Sequence, residues 1–156
     1  MPLTSFSTAF IDWIRARIIA HSCDLLPETQ LFDERSLSLE SMIRKSLESS
    51  LGYGVGVSLP TAHRVQHTDS PDDTVHRLTC TVAIFRGSLA SLSQEQSIAL
   101  AESLYLAFCG ASYVPVPGSC RPDVFADSFT AQVIEEKGAI ITFEVSIDLD
   151  LDHINH

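Results

Sequence analysis

The carboxyl-terminal part of the chain contains an unbroken alternation of apolar and polar residues over twelve positions, from Ile141 to Asp152. The odd positions are apolar: Ile141, Phe143, Val145, Ile147, Leu149 and Leu151. The even positions are polar: Thr142, Glu144, Ser146, Asp148, Asp150 and Asp152. Because successive side chains of a β-strand point to opposite faces, this period predicts a long strand with one buried face. The polar face is left for water or for a partner.

Three other segments show the spacing of amphipathic helices, with apolar residues three and four positions apart. They cover Ser5–Ala20, Ser38–Ser50 and the segment that begins after Ser93. In the second, one apolar face is predicted from Leu39, Met42, Ile43 and Leu47. The third is the clearest, because Ser93 and Gln96 have capping-box spacing and Gly110 stands where a glycine ends many helices.

Further strands are predicted at Gly54–Leu59, with Val55, Val57 and Leu59 buried, and around Leu78–Ile84, where apolar and other residues alternate. Another is predicted at Phe129–Glu135, and a short turn through Gly138 joins it to the last strand. The fold class is therefore α+β, with one antiparallel or mixed sheet, helices packed on one face and the order α-α-β-β-α-β-β. Residues 1–156 suit a single domain.

The composition is that of an ordinary globular protein, with 45% hydrophobic and 19% charged residues. Ten basic residues face twenty acidic ones, and no cluster of lysine and arginine is present. Tight binding to nucleic acid or to an anionic membrane is therefore not expected. No apolar run approaches the length of a membrane span, and the N-terminus lacks the features of a secretory signal, so the expected location is the cytoplasm.

The residues that could carry chemistry favour no catalytic or metal site. The four cysteines form no CxxC pair, and a disulfide framework is not expected. His63 and His67 have zinc-like spacing but sit in a turn-rich segment, and the Asp148, Asp150 and Asp152 repeat lacks the glycine turn of a calcium loop. We expect no cofactor, no metal and no enzymatic activity, although two of the twenty acids meeting in a cleft would allow a paired-carboxylate hydrolase.

Two further segments, one rich in glycine and the other polar, are interpreted separately. The run from Gly52 to Gly56 follows a helix and opens a strand, the reverse of a dinucleotide-binding loop, so we interpret it as a helix end and a strand start. Residues 60–74 are polar and turn-rich, and they form either a long loop or a projecting hairpin. Within them, His63, Arg64 and His67 are candidates for an assembly loop.

The segments LESSLGYGVGVSLP, VHRLTCTVAIFRG and SQEQSIALAESLYLAFCG together resemble a pattern in phage and prophage tail-completion proteins, the tail terminators of long-tailed phages in particular. The resemblance is one of element order and runs from about Leu39 to the final strand. It implies a non-enzymatic subunit that forms a ring, commonly a hexamer, at the head-proximal end of a tail. The implied partners are copies of itself and other tail or head–tail proteins, with no small-molecule substrate.

Two other functions fit the same residues. One is a small intracellular ligand-binding or enzyme domain with a cleft between helices and sheet, and the other is an adaptor between two virion components. The acidic row Glu144, Asp148, Asp150 and Asp152 bears on the choice, because like charges along a strand repel and no local feature of the sequence compensates them. We therefore predict that this face lines a passage for DNA or forms an interface.

Overall fold

A computed structural model describes residues 3–22, 25–65, 75–88, 90–113, 124–134 and 138–150. Its helices are α1 (Leu3–His21), α2 (Pro27–Gln30), α3 (Leu39–Glu48) and α4 (Gln94–Phe108). Its strands are β1 (Leu31–Asp33), β2 (Tyr53–Val57), β3 (Thr61–Arg64), β4 (Val75–Arg86), β5 (Val124–Ile134) and β6 (Gly138–Asp150). The predicted α+β class is confirmed. The added elements α2, β1 and β3 have three or four residues each, too few to show a periodic pattern.

The six strands form one mixed sheet in the order β1-β2-β4-β6-β5, with β3 pairing with β4 beyond the end of β2. Strand β1 runs parallel to β2, and the other pairs are antiparallel. The centre is the β4–β6 pair, whose register runs from Val75 opposite Asp150 to Arg86 opposite Ala139. Because these strands are long, the two ends of one sheet face can carry different side chains and be covered by different elements.

One face of the sheet, the packed face, carries the larger apolar core. It presents Val55, Val57, Leu78, Cys80, Val82, Ile84, Ile141, Phe143, Val145, Ile147 and Leu149. Helices α1 and α4 contribute apolar side chains to the same core, among them Phe10, Ile14, Leu104 and Phe108. The odd positions of β6 from Ile141 to Leu149 are at most 2% exposed, which confirms their predicted burial; Leu151 lies outside the described residues.

Helix α3 lies on the opposite face, so the prediction that all helices pack on one face is wrong. It forms a second apolar cluster made of Phe32, Met42, Ala83 and Phe85. The glycines of β2 make room for it: a Cβ atom on Gly56 would lie 3.2 Å from Met42 Sδ, and one on Gly54 would lie 2.8 Å from Ser46 Cβ. The glycine run therefore allows α3 to pack closely against β2, in addition to starting a strand.

The predicted capping box of α4 is confirmed, with the Gln96 amide donating to Ser93 Oγ at 3.1 Å and the Ser93 amide donating to Gln96 Oε1 at 2.8 Å. Gly110 follows with a φ of 69°, as predicted for a helix end. Of the two described cysteines, Cys80 on β4 is buried and Cys109, directly after α4, is exposed. Leu59 was predicted to be buried but is 49% exposed, because β2 ends at Val57.

Strand β5 begins at Val124, five residues before the predicted start at Phe129. A register shift between Asp127 and Thr130 interrupts the β5–β6 pairing, and Ser128 there has a φ of 58°. A bulge of this kind adds one residue to the strand, so the inward positions are even-numbered in one half of the strand and odd-numbered in the other. This explains why the sequence pattern predicted only the second half.

Candidate functional site

The face of the sheet that carries α3 is divided into two parts. Near Phe85 and Gly56 it is covered by α3, and we call this part the covered half. The rest, the open half, has polar or exposed side chains over which no described helix packs. It comprises Thr61 and His63 of β3; Arg77, Thr79 and Thr81 of β4; Phe125 and Asp127 of β5; and Thr142, Glu144, Ser146 and Asp148 of β6.

Arg77 and Asp148 lie directly opposite each other on β4 and β6. Arg77 Nε donates to Asp148 Oδ1 at 2.8 Å and Nη2 donates to Oδ2 at 3.1 Å, a two-point ion pair. The guanidinium lies 5.7 Å from the ring centre of Phe125, which is itself 46% exposed. Hydrogen bonding to the Asp148 carboxylate raises the pKa of Arg77. The expectation that nothing in local structure compensates the acidic row is therefore wrong at Asp148.

Glu144 has a different environment. Its register partner on the neighbouring strand β5 is Asp127, so two carboxylates lie side by side on the open half. Asp127 accepts a hydrogen bond from the Ser128 amide at 2.7 Å, and among the described residues neither acid has a basic partner. Like charges in this position are destabilising. The rest of the row adds little: Asp150 pairs with Val75 through its backbone, and Asp152 lies outside the described residues.

The candidate assembly loop is partly an edge strand. His63 and Arg64 belong to β3, opposite Arg77 and His76 of β4, so their side chains point to opposite faces and only His63 joins the open half. All four residues of β3 are exposed. The hairpin alternative for this segment is therefore the correct one as far as it is described, while His67 lies outside the described residues.

The flank of α3 carries an apolar stripe made of Leu39, Ile43 and Leu47, one turn apart. Leu39 is 54% exposed, and the side chains that α3 buries are those of Met42 and Ser46. The predicted buried face of this helix is therefore correct at Met42 and wrong at Leu39. Together with Glu40, Arg44 and Glu48, the stripe borders a surface groove of about 550 Å³.

An ion network around the buried Asp33 links the middle of α1 to the end of β1. Asp33, 3% exposed, accepts from Arg15 Nη1 at 2.6 Å, from Arg35 Nε at 3.0 Å and from the Arg35 amide at 2.9 Å, while Arg35 also contacts Asp12 at 2.8 Å. Burial by itself would raise the pKa of Asp33, but the hydrogen bonds from Arg35 and Arg15 outweigh it and hold the pKa below 3.8. Since both carboxylate oxygens are engaged, this network joins α1 to β1 rather than forming a reactive site.

A cleft of about 520 Å³ lies between α2 and α3, lined by Leu26, Glu28, Thr29, Phe32, Lys45, Glu48, Ser49 and Ser50. Within the described ranges, no three His, Cys, Asp or Glu side chains converge as metal ligands would. None of the described helices combines the length and apolar character needed to cross a membrane.

Comparison with known proteins gives no identification. No protein-family model matches this chain, and no curated protein is significantly similar to it in sequence. The function is therefore argued from the surfaces described above.

Proposed function

We propose that this protein is a structural assembly subunit of the phage tail-terminator type, which associates with copies of itself and with other tail or head–tail proteins. The observation that carries the proposal is the open half of the sheet, bordered by the exposed stripe on α3. A sheet face that is buried at one end and left polar and ordered at the other has a ready contact surface for another protein.

The residue types of the open half support an interface. Phe125 and Arg77 are of the kinds enriched at the centres of protein contacts, and each is held in place before any partner arrives. Thr79 and Ser146 share a hydrogen bond of 2.8 Å between their hydroxyl groups, so this part of the surface is also fixed. Binding to an ordered surface loses less conformational entropy than binding to a mobile one.

The two edges of the sheet support closed assembly. One edge is formed by β1 and the exposed β3, and the other by β5 with its bulge at Ser128. Edges of these kinds offer backbone groups to neighbours, and head-to-tail contacts between unlike surfaces close into rings. We propose that the ring assembles in the cytoplasm before it joins a virion.

Of the two roles predicted for the acidic row, the interface is the better supported. Asp148 is neutralised by Arg77, so the row does not present a uniform negative wall. The net charge of −10 over the whole chain still disfavours adhesion of DNA to a ring built from it.

Native mass spectrometry of the purified protein tests the proposal. We expect a closed oligomer of one defined copy number, larger than a dimer, either alone or on purified tail tubes. A protein that stays monomeric or dimeric up to about 100 µM, and that binds no tail component, would contradict it.

The cleft between α2 and α3 favours the alternative of a small ligand-binding domain, because it sets Lys45 beside Glu28 and Glu48 over an apolar floor. A thermal-shift screen with zwitterionic and anionic metabolites separates the two functions. A ligand that stabilises a monomer, with the effect lost in Lys45→Met, would support the alternative and count against assembly.

A further inference from the structure

The structure contains an unpartnered helix flank that faces an unpartnered part of the sheet. The two flanks of α3 differ: Lys45 and Ser49 border the cleft beside α2, on the β1 side. The opposite flank is the stripe of Leu39, Ile43 and Leu47. Ile43 packs against the same apolar cluster as Ile140 of β6, so this flank is directed toward the open half.

We propose that a second copy of this chain covers the open half, with α3 of each copy lying on the open half of the other. The contact is a two-fold one, in which the stripe of one copy meets the stripe of its partner. This goes beyond the proposed function, since it concerns the surface by which two copies pair and holds whether or not the pairs form a ring.

The shape of the face supports a two-fold contact. In such a contact the same patch is used by both partners, so a projecting part must sit beside a matching recess. Helix α3 projects from the covered half, whereas no described helix packs on the open half beside it. A half-turn therefore places each helix in the space that the other leaves, and both helices share one layer between the two sheets.

The apolar stripe supplies the attraction at the centre of this contact. Leu39 is 54% exposed in the single chain, whereas in the pair it meets the corresponding leucine and isoleucine side chains of the second α3. Helices pack through rows of residues four positions apart, which is the spacing of Leu39, Ile43 and Leu47. Removing these side chains from water favours association.

Charge identifies the partner as a copy of this chain. Within the described part of the chain, Arg44 and Lys45 are basic side chains that make no hydrogen bond or ion pair, unlike Arg15, Arg17, Arg35, Arg77 and Arg86. On the open half, Glu144 and Asp127 face each other without a base. Arg44 lies on the outer side of α3, away from the buried Met42 and Ser46, so the half-turn brings it over the acid pair of the other copy. Glu40 and Glu48 lie one turn to either side of Arg44 on the same outer side of the helix, so the attraction depends on Arg44 itself being set over the acid pair.

Sedimentation equilibrium of the full chain tests the pairing, with circular dichroism and thermal melting of every variant to show that it is folded. We expect a dimer whose dissociation constant rises at least about tenfold in Leu39→Glu. The matched control is Leu106→Glu, which changes a still more accessible leucine on α4, 67% exposed, on the opposite side of the sheet. This control is expected to leave the dissociation constant unchanged.

A charge exchange tests the orientation. Arg44→Glu is expected to weaken the dimer by about five- to tenfold, and the double variant Arg44→Glu with Glu144→Arg to restore it to within about threefold of the parent. A parent that is monomeric at about 0.5 mM, or a dimer that Leu39→Glu leaves unchanged, would overturn the pairing. A ring insensitive to both Leu39→Glu and Arg44→Glu would overturn it while supporting the proposed function.

Discussion

The covered and open halves belong to the same face of the same sheet, and β4 crosses both. At one end of β4 the side chains on this face are Ala83 and Phe85, both buried under α3. At the other end they are Arg77, Thr79 and Thr81, all partly exposed. The backbone pairing with β6 is continuous through both ends. Since the strand pairing is the same at both ends, the side chains decide which part of a sheet face becomes core and which is left for a partner.

The two halves also differ in how they are held together. The covered half depends on close approach, since α3 rests on the glycines of β2 and on the Phe85 ring. The open half depends on pairs across the strands, such as Arg77 with Asp148 and Thr79 with Ser146. Close packing is sensitive to the loss of any atom, whereas exposed polar pairs contribute little stability each. Substitutions in the two halves should therefore have very different costs.

The largest expected contrast lies within β4. Phe85→Ala should reduce the free energy of unfolding by about 4 kcal/mol, because it removes a buried ring and leaves a cavity under α3. Thr79→Ala, on the same strand and the same face, should cost no more than about 1 kcal/mol for its hydrogen bond to Ser146. Urea denaturation followed by circular dichroism measures both. Equal costs would mean that the two halves are not distinct.

The network at Asp33 gives the next largest effect, because it anchors β1 at the edge of the covered half. Asp33→Asn should cost about 2 kcal/mol near neutral pH, since hydrogen bonds to a charged group are lost. The folded pKa of Asp33 lies below its ordinary value of 3.8. Its contribution is therefore complete above that value and is lost as the pH falls through the folded pKa. The parent and the variant should converge in stability as the pH is lowered below 3.8; a constant difference would contradict this account.

An effect of similar or smaller size is expected from adding a methyl group to the β2 glycines on which α3 packs. Gly54→Ala should cost about 2 kcal/mol, since its Cβ would meet Ser46 and lie 3.2 Å from the backbone oxygen of Gln30. Gly56→Ala should cost about 1 kcal/mol, because its contacts are with the side chains of Phe85 and Met42, which can shift. Thermal or urea unfolding of the two variants gives the order. The reverse order would show that α3 does not rest on β2 as described.

The smallest effect is expected in the open half. Asp148→Asn should cost about 0.5 kcal/mol, because the ion pair with Arg77 is partly exposed and water screens it. The coupling is measured by a double-mutant cycle with Arg77→Met, in chemical denaturation at low and high salt. A coupling above about 2 kcal/mol, unaffected by salt, would place this pair with the core instead of the surface.

The sequence predicted those parts of the fold whose signal is local. Alternation indicated which face of β6 is buried, and the capping box at Ser93 indicated where α4 begins. The buried face of α3 was not fully predictable, because the glycines at positions 54 and 56 that receive it lie on another element. The start of β5 was hidden by the bulge at Ser128, which breaks the period of two.

The candidate site was predictable only in part, for a related reason. The parity of β6 placed Glu144 and Asp148 on one face, but their partners follow from register, which no local pattern encodes. Thus Asp148 meets Arg77 and Glu144 meets Asp127, although the sequence gives the two acids equivalent positions. The Asp33 network likewise joins residues 12, 15, 33 and 35, which come from α1, β1 and the turn after β1. Their spacing forms no recognisable sequence motif.

If the open half is a contact surface between protein molecules, its carboxylates lose access to solvent on association. Carboxyl footprinting measures that loss of access directly. Glycine ethyl ester labelling with mass spectrometry is compared between dilute protein and protein at assembly concentration. Labelling of Glu144 and Asp127 is expected to fall on association, while labelling of Glu95 and Glu102, exposed on α4 beyond the packed face, is expected to stay the same. Unchanged labelling of Glu144 and Asp127 in a sample shown to be associated, or protection of α4 instead, would contradict it.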